Sequence, residues 1–175
     1  MKNVSKSLTF LDLFAGAGGM SEGFIRAGFS PVAHVESNKA ACLTLKTRTA
    51  YHWLKERGQL NVYWDYLNGK ITRDDLYGSV LKQHILSVIN AEIKKETLQD
   101  IFRKVDMLSG GKSPDLIIGG PPCQAYSVVG RSRDKNGMIG DRRNYLYEFY
   151  AQFLVRFKPR YFVFENVTGL LSARD

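Results

Sequence analysis

Cys123 is one of only two cysteines in the sequence, and Asp115-Leu116-Ile117-Ile118-Gly119-Gly120-Pro121-Pro122 leads directly into it. An ionised thiol is a strong nucleophile, and the residues before this one fix where it stands. Leu116 to Gly119 reads as a short buried strand. Glycine lets the backbone turn and approach a ligand closely. Each proline fixes its own φ and restricts the residue before it. The thiol is therefore held at the carboxyl end of a strand, where open α/β sheets bind their ligands. A free cysteine is also a common small buried hydrophobe, so this stretch alone admits both a reactive site and a stiff turn.

A second chemical pattern opens the chain. Leu8 to Phe14 reads as an apolar strand, Ala15-Gly16-Ala17-Gly18-Gly19 as a tight turn, and Ser21 to Ala27 as a helix stopped by Gly28. Pro31 to Glu36 reads as a second strand that ends in a carboxylate, and Lys39 to Arg57 as a helix ended by Gly58. Strand, glycine turn, helix, strand and acid make half of a nucleotide-binding βαβ unit, although the glycines depart from G-x-G-x-x-G. Small residues let a cofactor lie against the backbone, and Glu36 can accept hydrogen bonds from two ribose hydroxyls. A solvated acid at a strand end is the plainer alternative for Glu36.

The remaining elements complete the frame. Asn61 to Trp64 reads as a short strand. Thr72, with Asp75 three residues on, has the pattern of a helix start. Ile71, Leu76, Val80, Leu81, Ile85, Val88 and Ile89 then recur at roughly helical spacing, and Lys95 to Leu108 reads as a further helix. Gln59 to Gly111 is therefore expected to be a helical insertion. Ser127 to Arg143 contains glycine and lacks apolar periodicity, which predicts a loop. Asn144 to Phe157 reads as a helix broken by Pro159, and Tyr161 to Phe164 as a strand with Glu165-Asn166-Val167 at its carboxyl end. On this reading one sheet edge receives the glycine turn, Glu36, Cys123 and Glu165.

Bulk properties narrow the class. The chain has 175 residues, 44% hydrophobic and 24% charged, in the range of a soluble globular domain. It has no apolar run near the roughly 20 residues of a membrane span, and no signal peptide is expected after Met1 to Ser7. Cys42 and Cys123 form neither a disulfide framework nor a zinc-ligand pattern. A reducing, cytoplasmic setting with no membrane and no metal is expected. The net charge of +8 favours polyanions. It is uneven: Arg131, Arg133, Lys135, Arg142 and Arg143 face only Asp134 and Asp141 in the loop after Cys123. A nucleic-acid contact there outranks a merely solvated face.

Asp12-Leu13-Phe14-Ala15-Gly16-Ala17-Gly18-Gly19, Gly120-Pro121-Pro122-Cys123-Gln124 and Glu165-Asn166-Val167, in this order, resemble the cytosine carbon-5 DNA methyltransferases. The Pro-Cys-Gln and Glu-Asn-Val pair, each after a short apolar strand, carries most of that resemblance. It implies an α/β fold of the Rossmann-like, S-adenosylmethionine-dependent methyltransferase type, with a mostly parallel sheet, helices on both faces and an incomplete C-terminal side. It also implies S-adenosylmethionine as cofactor, against Phe14, Ala15, Gly16 and Gly18, with Glu36 on the ribose, Ser37 beside the adenine, and Pro122 and Leu146 nearby. For the family's Asp-Ile contact to adenine there are two candidates, Asp100-Ile101 and Gly69-Lys70-Ile71-Thr72.

The resemblance also implies the chemistry. Thiolate addition to carbon 6 of cytosine makes carbon 5 nucleophilic, and Cys123 would supply that thiolate. Glu165 would donate or share a proton at ring nitrogen 3, a task suited to a carboxyl whose pKa is raised by burial. The target carbon is inaccessible in a duplex, so the base must be flipped out of double-stranded DNA. Gln124, Ser127, Arg131 and Arg133 would contact the nucleic acid. The expected system is a bacterial restriction-modification methyltransferase. Residues 1–175 are expected to be the N-terminal portion of one catalytic domain, without the target-recognition domain and inactive alone. A transfer-RNA cytosine methyltransferase of the same family and a non-catalytic nucleic-acid-binding module remain as alternatives.

Overall fold

A computed structural model describes residues 7–122 and 146–167. Its element order is β1 (Thr9–Leu13), α1 (Gly19–Arg26), β2 (Ser30–Glu36), α2 (Lys39–Glu56), α3 (Leu60–Leu67), α4 (Arg73–Gly78), α5 (Lys82–Leu86), β3 (Val88–Asn90), α6 (Lys95–Ser109), β4 (Leu116–Gly119), α7 (Leu146–Phe157) and β5 (Tyr161–Phe164). The five strands form one parallel sheet in the order β3-β2-β1-β4-β5. The chain builds outward from β1 to β3 and then returns to β4 on the other side of β1. The switch point lies between β1 and β4, where open sheets of this kind carry their ligand crevice.

Parallel strands bury both faces, and the alternation of side chains sorts the core into layers. On one face Leu11, Leu13, Ala33, Val35 and Ile117 pack against Leu98, Ile101, Phe102 and Val105 of α6 and Tyr150, Phe153 and Phe157 of α7. On the other face Phe10, Leu116 and Ile118 meet Met20, Phe24 and Ile25 of α1, while Ala15, Cys42, Leu45 and Val88 join the glycine turn, α2 and β3. The α2–α5 region closes over a separate cluster of Ala50, Leu54, Leu76 and Val80. β2 slips register by one residue beside Phe10 and Leu11, just after Pro31, a residue that has no N–H to give to the ladder.

Two expectations for the middle of the chain are corrected. Asn61 to Trp64 lies inside helix α3, not a strand. A short run of Val, Tyr and Trp satisfies either period, and here Val62, Tyr63 and Tyr66 pack at helical spacing onto the α2–α5 cluster. The helical phase from Ile71 to Ile89 does not persist either. It divides into α4, started by a Thr72–Asp75 capping box, and α5. Val88 and Ile89 then form β3, which pairs with β2. Val88 faces the α2 side and Ile89 the α6 side, so β3 shows two consecutive apolar residues and no alternation. The 59–111 stretch is thus mostly helical but also supplies an edge strand of the main sheet.

Candidate functional site

The registers set the carboxyl ends of the strands at one level: Leu13 lies opposite Val35 and Gly119, Glu36 opposite Asn90, and Gly119 opposite Phe164. Above that level opens a cleft of about 690 Å³. Phe14, Gly16, Val35, Glu36 and Ser37 line it from β1 and β2, Ala91 to Glu96 from the segment after β3, Gly120 and Pro122 from the turn after β4, and Leu146, Glu148 and Phe149 from α7.

The turn after β1 is tied down before any ligand arrives. The Ala15 N–H donates to the Val35 carbonyl at 3.1 Å and the Gly18 N–H to the Ala15 carbonyl at 2.9 Å. Gly16 has φ +54 and open space where a Cβ would stand, so bare backbone faces the cleft. Gly18, with φ +84, is needed for another reason: a Cβ there would come within 2.7 Å of Leu45 Cδ2. Phe14 holds φ +57 without being a glycine, a left-handed conformation that costs on the order of 1–2 kcal/mol. It turns the chain out of β1 into the cleft, and its ring is packed against the main core.

Glu36 braces both flanks of the crevice. Its Oε2 accepts from the Gly16 N–H at 2.8 Å, and its Oε1 from the Asn38 N–H at 2.7 Å and the Ser37 hydroxyl at 3.3 Å. Asn90 secures the same corner from β3, its Nδ2 donating to the Glu36 carbonyl at 3.0 Å and the Ser37 carbonyl at 2.9 Å. Below them Asp12 is buried and accepts a hydrogen bond from the Ser21 hydroxyl of α1. Burial lifts its carboxyl to about 7, opposed by the Ser21 hydrogen bond and aided by the nearby charge of Glu36.

At the other side of the switch point, Gly119 has its N–H-to-carbonyl ladder with β5 extended by one bond, the Glu165 N–H donating to the Gly119 carbonyl at 2.9 Å. A Cβ on Gly119 would collide with the Leu13 carbonyl oxygen, and one on Gly120 with Glu165 Oε2. These two glycines let β4 approach β1 and let the Glu165 carboxyl lie on the turn that leads to Cys123. The Tyr150 hydroxyl of α7 is shared between the Ile117 and Val163 carbonyls at 3.0 and 3.1 Å, tying α7 to β4 and β5. Glu165 itself is exposed among the described residues.

Of the residues singled out from sequence, Phe14, Gly16, Glu36, Ser37, Pro122 and Leu146 meet in the cleft. Ala15 and Gly18 are buried and shape the turn from beneath. Asp100 is not brought there: it stands on α6 and pairs with Arg103 at 3.0 Å and Lys104 at 2.7 Å along its own helix. Gly69 to Thr72, between α3 and α4, is absent from the cleft lining as well. In their place the segment after β3 brings Ala91, Glu92 and Ile93. A signal for them was present, since Val88-Ile89-Asn90 followed by Glu92 repeats the strand-then-acid order that marks Glu36. Cys123, Gln124, Ser127, Arg131 and Arg133 lie outside the described residues. Among the described residues no helix is long and apolar enough to cross a membrane, and no group of three or more His, Cys, Asp or Glu side chains is placed to hold a metal ion.

Comparison with known proteins places this arrangement in a family. The chain is 40% identical over 185 residues to the type II methyltransferase M.Bpa9945I of Bacillus paralicheniformis, covering 94% of this chain and 42% of that protein. It is 31% identical over 166 residues to the type II methyltransferase M1.HphI of Haemophilus parahaemolyticus, covering 95% of this chain and 34% of that protein. It thus spans less than half the length of either relative. A crystal structure described as a DNA modification methyltransferase encoded within an E. coli prophage shares the fold, with a TM-score of 0.52 at 24% identity, over 94% of this chain and 33% of that one. The sequence model of the C-5 cytosine-specific DNA methylases matches residues 8–62 and 74–175, and the chain belongs to that family.

Proposed function

We propose that the protein carrying this domain transfers a methyl group from S-adenosylmethionine to carbon 5 of cytosine in DNA, as the modifying partner of a restriction-modification pair. The observation that carries this reading is the convergence of Gly16, Glu36, the Gly120–Pro122 turn and Glu165 on one level of one sheet edge. The cleft fits the cofactor on its own terms. Gly16 offers bare backbone with open space above it, Glu36 keeps acceptor capacity on Oε2 beyond the bonds to Gly16, Ser37 and Asn38, and the volume suits a ligand of that size. Phe14, Gly16, Glu36, Ser37, Pro122 and Leu146 would hold it. Glu92 and Ile93, rather than Asp100 and Ile101, would stand where the family's Asp-Ile pair contacts adenine. When bound, the cofactor supplies an electrophilic methyl on a sulfonium.

The chain's own residues supply the rest. The Cys123 thiolate adds to carbon 6 of a flipped cytosine, and Glu165 holds the proton at ring nitrogen 3 while carbon 5 gains electron density. Gly120 leaves room for the Glu165 carboxyl beside the turn that carries the thiol. Gln124, Ser127, Arg131 and Arg133 would engage the opened duplex.

Titration calorimetry with S-adenosylhomocysteine tests the cofactor site: binding that weakens on Glu36→Ala supports it, and absence of binding overturns it. Labelled methyl transfer by the full-length protein into duplex DNA, with transfer RNA in parallel, tests the substrate. Label that enters only the transfer RNA would overturn DNA as the target.

A further inference from the structure

Six of the eight residues of α3 are aliphatic or aromatic (Leu60, Val62, Tyr63, Trp64, Tyr66 and Leu67), yet the helix fully buries none of them. Its inner face covers the α2–α5 cluster only in part. Between α1, α2, α3 and the start of α4 lies a groove of about 670 Å³. Three tyrosines form a contiguous aromatic wall there, with the Tyr51 and Tyr63 ring centroids 5.0 Å apart and those of Tyr63 and Tyr66 6.5 Å apart.

The same groove is strongly basic. Arg26, Arg48 and Arg73 line it with His52, against one carboxylate, Glu22. Glu22 is already shared between Arg26 at 2.8 Å, Arg48 at 3.3 Å and His52 at 2.9 Å. Arg73 forms no ion pair among the described residues, and it occupies the first position of α4. A cation there opposes the helix dipole, and its guanidinium lies beside Tyr66 of the aromatic wall and Asp74 of its own helix. Tyr63, Tyr66 and Arg73 also fall in the stretch that the family model passes over, residues 63–73. The groove shares no lining residue with the cleft at the strand ends, and its α3 and α4 side lies outside the family's matched pattern while its α1 and α2 side lies within it.

Aromatic faces beside guanidinium groups suit a ligand made of flat rings joined by phosphates. Base–aromatic stacking tolerates any sequence, and a basic groove tracks the backbone. A duplex hides its base faces, which leaves an unpaired strand as the matching form. We propose that this groove binds unpaired nucleotides of a nucleic-acid strand, with bases against Tyr51, Tyr63 and Tyr66 and phosphates at Arg48 and Arg73. The proposal does not rest on the methyltransferase reading.

The test uses the whole chain and a short fluorescein-labelled oligothymidylate, read by anisotropy, with a photo-crosslinking oligonucleotide mapped by mass spectrometry. Expected are adducts on peptides holding Tyr51, Tyr63 or Tyr66 and affinity about tenfold weaker in Arg73→Glu and in Tyr63→Ala. Arg73→Glu is the safer variant, since it puts an anion where the α4 dipole favours one. It keeps the test open if Tyr63→Ala unfolds. Adducts confined to other peptides, unchanged affinity in Arg73→Glu, or equal binding of a labelled polyglutamate would each overturn the proposal.

Discussion

The Glu36 carboxylate accepts a hydrogen bond from the Gly16 N–H at 2.8 Å, across the crevice between the end of β2 and the turn after β1. Its other oxygen holds the Asn38 N–H at 2.7 Å, at the cap of α2. The acid proposed to grip the cofactor is thus also a structural brace of the turn on which the cofactor would lie. Glu36→Gln keeps one oxygen and loses the charge. Stability should fall by about 1–2 kcal/mol, less than for buried charge-assisted bonds because the site is part-exposed. Denaturant midpoints check this, and the loss of S-adenosylhomocysteine affinity should exceed the loss expected from stability alone.

Gly119 and Gly120 are adjacent and should respond differently. An added Cβ meets backbone at Gly119, the Leu13 carbonyl oxygen, but meets the end of a flexible side chain at Gly120, the Glu165 carboxylate. Gly119→Ala should destabilise by about 1–3 kcal/mol, as overpacking does. Gly120→Ala should leave the thermal midpoint nearly unchanged and depress methyl transfer by displacing Glu165. Melting curves and turnover measured side by side separate the two.

Asp12 and His34 should give opposing pH slopes. Burial raises the folded carboxyl of Asp12 to about 7, so its contribution is fully present below the unfolded value near 4 and is lost as pH rises through 7. Burial lowers His34 to about 4, so the folded state resists its protonation and loses stability as pH falls from about 6.5 toward 4. Asp12→Asn should remove the first slope and leave a protein that weakens more steeply toward acid. His34→Gln should do the reverse. Thermal midpoints at intervals between about pH 4 and 8, compared with the parent, read both signs.

Glu92 and Asp100 make a discriminating pair for the cofactor cleft. Glu92 lines it, paired with Lys94 at 3.1 Å, whereas Asp100 stands outside the lining, paired with Arg103 and Lys104 on α6. Glu92→Gln should weaken S-adenosylhomocysteine binding by about tenfold, the loss of one charge-assisted hydrogen bond. Asp100→Asn should not change it. Calorimetry on both variants decides.

Cys123→Ala in the full-length protein should still bind duplex DNA but transfer no methyl group, because only the nucleophile is lost. Gel-shift and labelled-transfer assays on one preparation check both halves. Near-normal transfer would remove Cys123 from the chemistry.

The parts of the site written as strand, turn and terminal acid were legible in the sequence. Leu8 to Phe14 with its glycine turn, Glu36 and the Leu116–Gly119 strand all announce themselves by apolar runs cut off at glycine, proline or a carboxylate. β3 did not, because Val88 and Ile89 are buried on opposite faces of the sheet and follow in phase with Leu76 and Val80. Without that strand the segment Ala91 to Ile93 had no reason to reach the cleft, and the sequence left Asp100-Ile101 and Gly69 to Thr72 as the two candidates for the adenine contact. The bracing of the turn by Glu36 was also hidden, since hydrogen bonds to Gly16 and Asn38 depend on the registers of β1 and β2.

The α2–α5 cluster closes on its own apolar residues, apart from the layers that flank the sheet. Within it α3 and α4 pack chiefly on α2, α5 and each other, so they can exchange surface residues without moving Glu36, Gly120 or Glu165. Tyr63, Tyr66 and Arg73 sit in that part, within the residues the family pattern skips. Selection can therefore rework this flank independently of the strand ends, so two members of the family can diverge in what they touch there.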